Sequence, residues 1–149
     1  GFLEVFDRCD GVIVSSDAGV RHWIHVTAGE AVSTRSFLTP RLIDMLGGAD
    51  MPDEVALADS LSRPERLAAH LRSAELAREA QTITGHLIGA ELAAARVYWL
   101  GQQVAVLDPP PASLATALEA QGVPCMTQTP TELIGPGLTA VGAALGLQD

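Results

Sequence analysis

The alternation of apolar and polar positions changes character twice along the chain. The first forty residues follow a two-residue period. Gly11-Val12-Ile13-Val14-Ser15-Ser16 is a short β-branched run, and Asp17-Ala18-Gly19 behind it is turn chemistry. His22 to Val26 forms a returning strand, Thr27-Ala28-Gly29-Glu30 a second turn, and Ala31 to Leu38 a third strand in which Val32, Thr34 and Ser36 alternate with Ser33, Arg35 and Phe37. This predicts a three-stranded antiparallel meander.

A helical period takes over next. Thr39 is placed to cap a short helix containing Pro40, Leu42, Ile43, Met45 and Leu46, stopped by Gly47-Gly48. Residues 49–61 show no clean period, and Pro52 with Asp50, Asp53 and Glu54 reads as an exposed connection. Ser62 and Glu65 have capping-box spacing and open a helix from about Arg63 to Gln81. A second helix is expected from Ile83 to Leu100, with Gly85, Gly89 and Ala93 four apart on one narrow face. Each interior glycine costs about 1 kcal/mol relative to alanine, so a neighbour must approach that face closely; a helix packed on a sheet is the simplest arrangement. The chain then returns to short alternating elements: a strand Gln103–Leu107, a helix Ser113–Gln121 ended by Gly122, a strand Pro124–Thr129 and a last helix Gly137–Leu147. The predicted order is βββα, a helical insertion at about 49–100, then βαβα. The length suits a single α/β domain over 1–149.

Charge narrows the function classes. The net charge is -9 and the chain has no lysine, only arginines. Such a surface repels nucleic acid, and the missing amine excludes Schiff-base chemistry, pyridoxal phosphate enzymes and a Walker-type P-loop. Cys9 and Cys125 have no metal-ligand spacing and read as buried free thiols in a reducing compartment. No apolar run is long enough to span a membrane and no signal peptide opens the chain, so a cytoplasmic protein is expected. No metal site is predicted. His22 and His25 fall on opposite faces of their strand, His70 reads as a solvated residue near Glu75, and His86 and Glu91, about 140° apart on a helix, do not make an acid–base pair. Gly135, Gly137 and Gly142 do not form a dinucleotide fingerprint, and no nucleophile elbow is present.

One motif is more specific. Gly85-His86-Leu87-Ile88-Gly89-Ala90-Glu91-Leu92-Ala93-Ala94-Ala95 resembles the G-L-L-I-G-A-E-L-A-A stretch of the 2-keto-3-deoxygalactonokinases (2-dehydro-3-deoxygalactonokinases). Trp23, Ile24 and Val26 resemble the family's K-W-V strand, and Ser36-Phe37-Leu38-Thr39 before Leu42 its S-T-F-x-T-G-E-L segment. The resemblance reaches about Leu147 and covers most of this chain but half of a family member. It implies the C-terminal, nucleotide-side lobe of a two-lobed kinase with a ribonuclease-H-like fold of the actin and hexokinase type. The complete enzyme transfers phosphate from ATP, with Mg²⁺, to 2-keto-3-deoxygalactonate.

The resemblance also implies which residues bind the nucleotide: Asp17, Gly19, Arg21 and His22 at the hairpin that faces the phosphates, and Gly89 and Glu91 near the adenosine. Ala18-Gly19-Val20-Arg21-His22-Trp23 stands where the family has G-T-H-S-K-W, so a hydroxyl and a lysine are replaced, and Arg21 is expected to supply the positive charge. Thr39-Pro40-Arg41-Leu42 replaces T-G-E-L. Asp108-Pro109-Pro110-Pro111 replaces a glycine turn with a stiff segment lacking three N–H donors. One lobe lacks the sugar-acid pocket, so it is expected not to phosphorylate a sugar by itself. Its expected partners are the other, N-terminal kinase lobe or a second copy of itself; the alternative is a non-catalytic domain kept for such contacts.

Overall fold

The computed structural model describes residues 10–107 and 113–128. The expected strand Gln103–Leu107 and helix Ser113–Gln121 are present with edges trimmed by one residue; the loop at 108–112, Cys9 and the expected helix Gly137–Leu147 lie outside the described residues.

Five strands make one mixed sheet. β1 (Gly11–Asp17), β2 (Val20–Thr27) and β3 (Glu30–Phe37) form the antiparallel meander, and β4 (Val104–Leu107) and β5 (Cys125–Thr127) run parallel to β1 on its other side, giving the order β3-β2-β1-β4-β5. The two-residue period sorts the side chains between faces. Val12, Val14, Trp23, Val104 and Val106 point to one face, where they meet Leu57, Ile88, Leu92, Tyr98, Trp99, Leu114 and Leu118 in the main core. Ile13, Ile24, Val26, Ala105 and Leu107 form a smaller cluster on the other face. Burial on both sides explains why β1 and β4 read as unbroken aliphatic runs while β3, at the sheet edge, is polar.

The helices depart from expectation at their ends. α1 (Thr39–Leu46) begins one residue earlier than expected: Leu38 occupies the cap position without a side-chain hydrogen bond, and the expected cap Thr39 is inside the helix and buried. Gly47, with φ 70°, ends it as expected. The segment expected to be an exposed connection holds α2 (Glu54–Ser62), capped by the Asp53 carboxylate, which accepts from the Ala56 N–H at 2.8 Å. Its inward positions are Ala56, Leu57 and Ser60, so two of three buried residues are small or polar and the apolar stripe is faint.

Ser62 and Glu65 do not form a capping box. Ser62 closes α2, its hydroxyl donating to the Asp59 carbonyl, and Pro64–Arg66 is a 3₁₀ turn. α3 (Leu67–Ala77) stops at Arg78, which adopts the left-handed conformation with φ 58°, so the expected helix to Gln81 is broken there. α4 (Ala80–Ala94) starts three residues sooner than expected and ends at Ala95, before a single turn, α5 (Arg96–Trp99). α6 (Ser113–Ala120) ends at Gly122.

Candidate functional site

The hairpin joining β1 to β2 turns in two residues. Asp17 pairs with Val20, and Ala18 and Gly19 both have positive φ, 49° and 78°, the geometry that matches the right-handed twist of the flanking strands. Asp17 and Ala18 are exposed at the tip. A second turn, Ala28-Gly29 between β2 and β3, has nearly the same angles, 52° and 78°.

What surrounds the two turns differs. The first is held by the start of α1: the Arg41 N–H donates to the Gly19 carbonyl at 3.1 Å, and its guanidinium Nη2 donates to the Ala18 carbonyl at 3.0 Å. A methyl group on Gly19 would meet Arg41 Cβ at 3.1 Å. Nothing lies within 4 Å of the same position on Gly29.

Strand alternation sends the next residues apart. His22 turns to the face of the smaller cluster, where its Nδ1 is 2.8 Å from the Ser36 hydroxyl. Arg21 and Trp23 turn toward α4. There the Glu91 carboxylate takes both: Oε2 accepts from Arg21 Nη1 at 3.0 Å and Oε1 from the Trp23 indole N–H at 2.8 Å. The side chains of Arg21 and Glu91 are 5% and 0% exposed. A carboxylate taken from water so completely needs its lone pairs filled, and a cation plus a neutral donor fill them. Arg21 Nε also lies 3.4 Å from the Ser16 hydroxyl.

Gly85 and Gly89 are equally committed. A Cβ on Gly89 would strike the Leu57 carbonyl, and one on Gly85 the Asp53 carbonyl. The close neighbour that the glycine spacing demanded is therefore α2, a helix, rather than the sheet. Of the six residues expected at the nucleotide, Asp17, Gly19 and His22 lie in or beside the hairpin, while Arg21, Gly89 and Glu91 are buried, Gly89 against α2. No expected pair but Arg21 and Glu91 is brought into direct contact among the contacts described.

A third cluster joins α2, α3 and α4. His70, expected to be solvated, stacks on His86 with ring centroids 4.5 Å apart, and its Nε2 is 3.3 Å from Asp59 Oδ2. Asp59 also pairs with Arg63, and His86 Nδ1 is 2.9 Å from the Ser60 hydroxyl. Burial, aided by the neighbouring His70, holds the His86 imidazole below its ordinary value, and Asp59, the Ala56 backbone and Asp53 oppose that shift. An open cleft of about 770 Å³ beside His86 is lined by Asp53, Asp59, Arg63, Glu79 and Thr82. Among the described residues no group of three or more His, Cys, Asp or Glu is arranged to hold a metal. Cys125 is half-buried; burial and then Glu119 push its thiol up to about 11, so it is a poor nucleophile.

Sequence reasoning missed three features. Arg21-x-Trp23 on one face of a strand signalled a shared partner, and Glu91 was the acid on the glycine-bearing helix, but spacing alone does not join residues seventy apart. Arg41 was noted only as a departure from a motif. The contacts of His70 with Asp59 and of His86 with Ser60 come from α2, whose helical pattern was not legible.

No helix among the described residues is long and apolar enough to cross a membrane. No protein-family profile matches the chain, and no curated protein does. A solved structure does: a protein from Sinorhizobium meliloti, provisionally named a 2-dehydro-3-deoxygalactonokinase, aligns with 97% of this chain at a TM-score of 0.78 and 20% sequence identity. The chain spans 58% of the length of that protein. This chain therefore has the α/β fold of a large part of that kinase-named protein.

Proposed function

We propose that the chain is the nucleotide-side lobe of a two-lobed, ribonuclease-H-like kinase of the 2-keto-3-deoxygalactonokinase kind. The observation that carries the reading is the alignment of nearly the whole chain with 58% of a protein bearing that name. The sheet order β3-β2-β1-β4-β5, with an antiparallel meander followed by parallel strands, agrees with such a lobe. In this reading the substrate is Mg-ATP, the metal arriving with the nucleotide, and the chain works in the cytoplasm where ATP is held.

Phosphoryl transfer requires aligned phosphates and an oriented acceptor hydroxyl, and little covalent help from the protein. The Ala18-Gly19 turn is the part of this chain suited to the first task, because its tip is exposed and its left-handed backbone lets N–H groups face outward as an anion-binding concavity does. Asp17 and His22 flank it. The buried Arg21–Glu91–Trp23 contact acts below, fixing β2 to α4 so that the turn stands on a rigid base. The acceptor, a sugar acid such as 2-keto-3-deoxygalactonate, would be held by a second lobe, so this lobe alone does not complete the reaction.

A contact surface fits the same reading. Leu42, Met45 and Leu46 lie at i, i+3 and i+4 on the outer side of α1 with Leu38 beside them, and all four are exposed, Met45 to 73%. Without a companion lobe such a stripe favours self-association, which keeps a second reading in view: a non-catalytic domain that meets a partner or its own copy. Calorimetric titration of Mg-ATP into the purified chain separates them. Saturable one-to-one binding is expected, and no heat at millimolar ATP would contradict the nucleotide lobe and leave the partner domain.

A further inference from the structure

We propose that Arg41, at the start of α1, is the cation that receives the terminal phosphates at the Ala18-Gly19 hairpin, in place of the lysine that the resembling kinases carry on β2. The inference rests on the nucleotide-lobe reading above and names the residue that makes the site work in this chain.

Three observations lead to it. The first is electrostatic need. A chain with net charge -9 repels a polyphosphate unless a local cation offsets the field, and the chain has no lysine. The second is elimination at the hairpin. His22 stands where the kinases have lysine, but its ring is turned to Ser36. Arg21, the cation expected from sequence, has its guanidinium buried against Glu91. Neither presents a fixed positive charge at the tip.

The third is the placement of Arg41. It is exposed, and no carboxylate pairs with it among the described residues. It also prepares the turn for an anion. The carbonyls of Ala18 and Gly19 would present partial negative charge at the tip, but the guanidinium covers one and the Arg41 N–H the other. One of the five guanidinium N–H groups is used on Ala18, and a planar fork with donors to spare suits phosphate oxygens. The second Ala-Gly turn, at Ala28-Gly29, has nearly the same backbone angles but is held by the Asp10 carboxylate, which accepts from the Ala28 N–H at 2.7 Å, and no arginine is described over its carbonyls, so turn geometry by itself did not require one.

The test compares ligands and charges by calorimetry at low salt. Mg-ATP, adenosine and inorganic tripolyphosphate are titrated into the wild-type chain and into Arg41→Lys, Arg41→Gln and Arg41→Glu, with Gly29→Ala as the control turn. Circular dichroism melting confirms that each variant is folded; Arg41 is a surface residue, and Arg41→Lys keeps the charge if the glutamine or glutamate variant loosens the hairpin. Loss of one charge-assisted contact predicts at least about tenfold weaker Mg-ATP binding in Arg41→Gln, a larger loss in Arg41→Glu, partial retention in Arg41→Lys, and no change in Gly29→Ala. Adenosine affinity stays the same throughout. Mg-ATP binding that survives Arg41→Glu unchanged overturns the role of Arg41 and leaves the nucleotide-lobe reading intact. Tripolyphosphate binding that depends on Arg41, without any preference for a nucleotide, upholds the role and overturns that reading. Absence of binding by all three ligands overturns both.

Discussion

The hairpin at Ala18-Gly19 and the crossing of α2 over α4 use the same kind of residue for opposite ends. Glycine at the hairpin permits a left-handed turn whose tip stays open to solvent, with Arg41 laid over its carbonyls. Glycine at the crossing, Gly85 and Gly89, permits two helix backbones to touch, and nothing but the protein itself reaches them. The contrast extends to charge. Arg41 is exposed and pairs with no carboxylate among the described residues, whereas Arg21 is buried and locked to Glu91. Motif similarity is strongest in α4, whose Gly85, Gly89 and Glu91 are buried in packing and ion-pair contacts, whereas the proposed function places the chemistry at the hairpin, where the motif is most altered. Resemblance in a motif can therefore report a packing requirement as readily as a binding one.

The largest effect expected from breaking this contrast is at the clamp. Glu91→Ala removes the buried carboxylate that takes both Arg21 and Trp23 and should lower stability by about 3–5 kcal/mol in urea unfolding, while the double replacement Arg21→Met with Glu91→Leu should recover part of the loss, because breaking one side of a buried ion pair costs more than replacing both sides with apolar groups. Gly89→Ala comes next. Its methyl group meets the Leu57 backbone, which no rotamer change can relieve, and about 1–3 kcal/mol should be lost by the same assay.

Gly19→Ala should cost about 1–2 kcal/mol from φ strain alone, with a further small loss from contact with Arg41; Gly29→Ala carries the strain without the contact and should cost less, so the difference between the two melting temperatures isolates Arg41. The smallest effect expected is from acidification. A His86 pKa below the ordinary 6.5 means that the unfolded chain binds the proton more readily, so this contribution to stability is complete above pH 6.5 and is lost as pH falls through the lower folded value. Replacing His86 by Asn should flatten the unfolding free energy across that range.

The meander was legible because a two-residue period bounded by Ala-Gly turns has few other solutions, and Val12, Val14, Ile13 and Ile24 sit where alternation puts them. The close approach to Gly85 and Gly89 was legible too, but not its author, since α2 buries Ala56, Leu57 and Ser60 and exposes Val55, an arrangement without an apolar stripe. Helix ends at Arg78 and Ala95 were invisible for another reason: both are ordinary helix formers whose conformation is set by the turns they join. At the candidate site, His22 was singled out only by the family resemblance, but the turn at Asp17-Ala18-Gly19 could be read from local pattern. The division of labour between Arg21 and Arg41 could not, because it depends on which side of β2 meets α4 and where α1 begins.

Amide-resolved nuclear magnetic resonance during a Mg-ATP titration tests the central claim most directly. The largest shifts are expected at the Ala18, Gly19 and Arg41 amides, with Gly89 and Glu91 little changed. Shifts concentrated at Gly89 and Glu91 with a silent hairpin would contradict that claim.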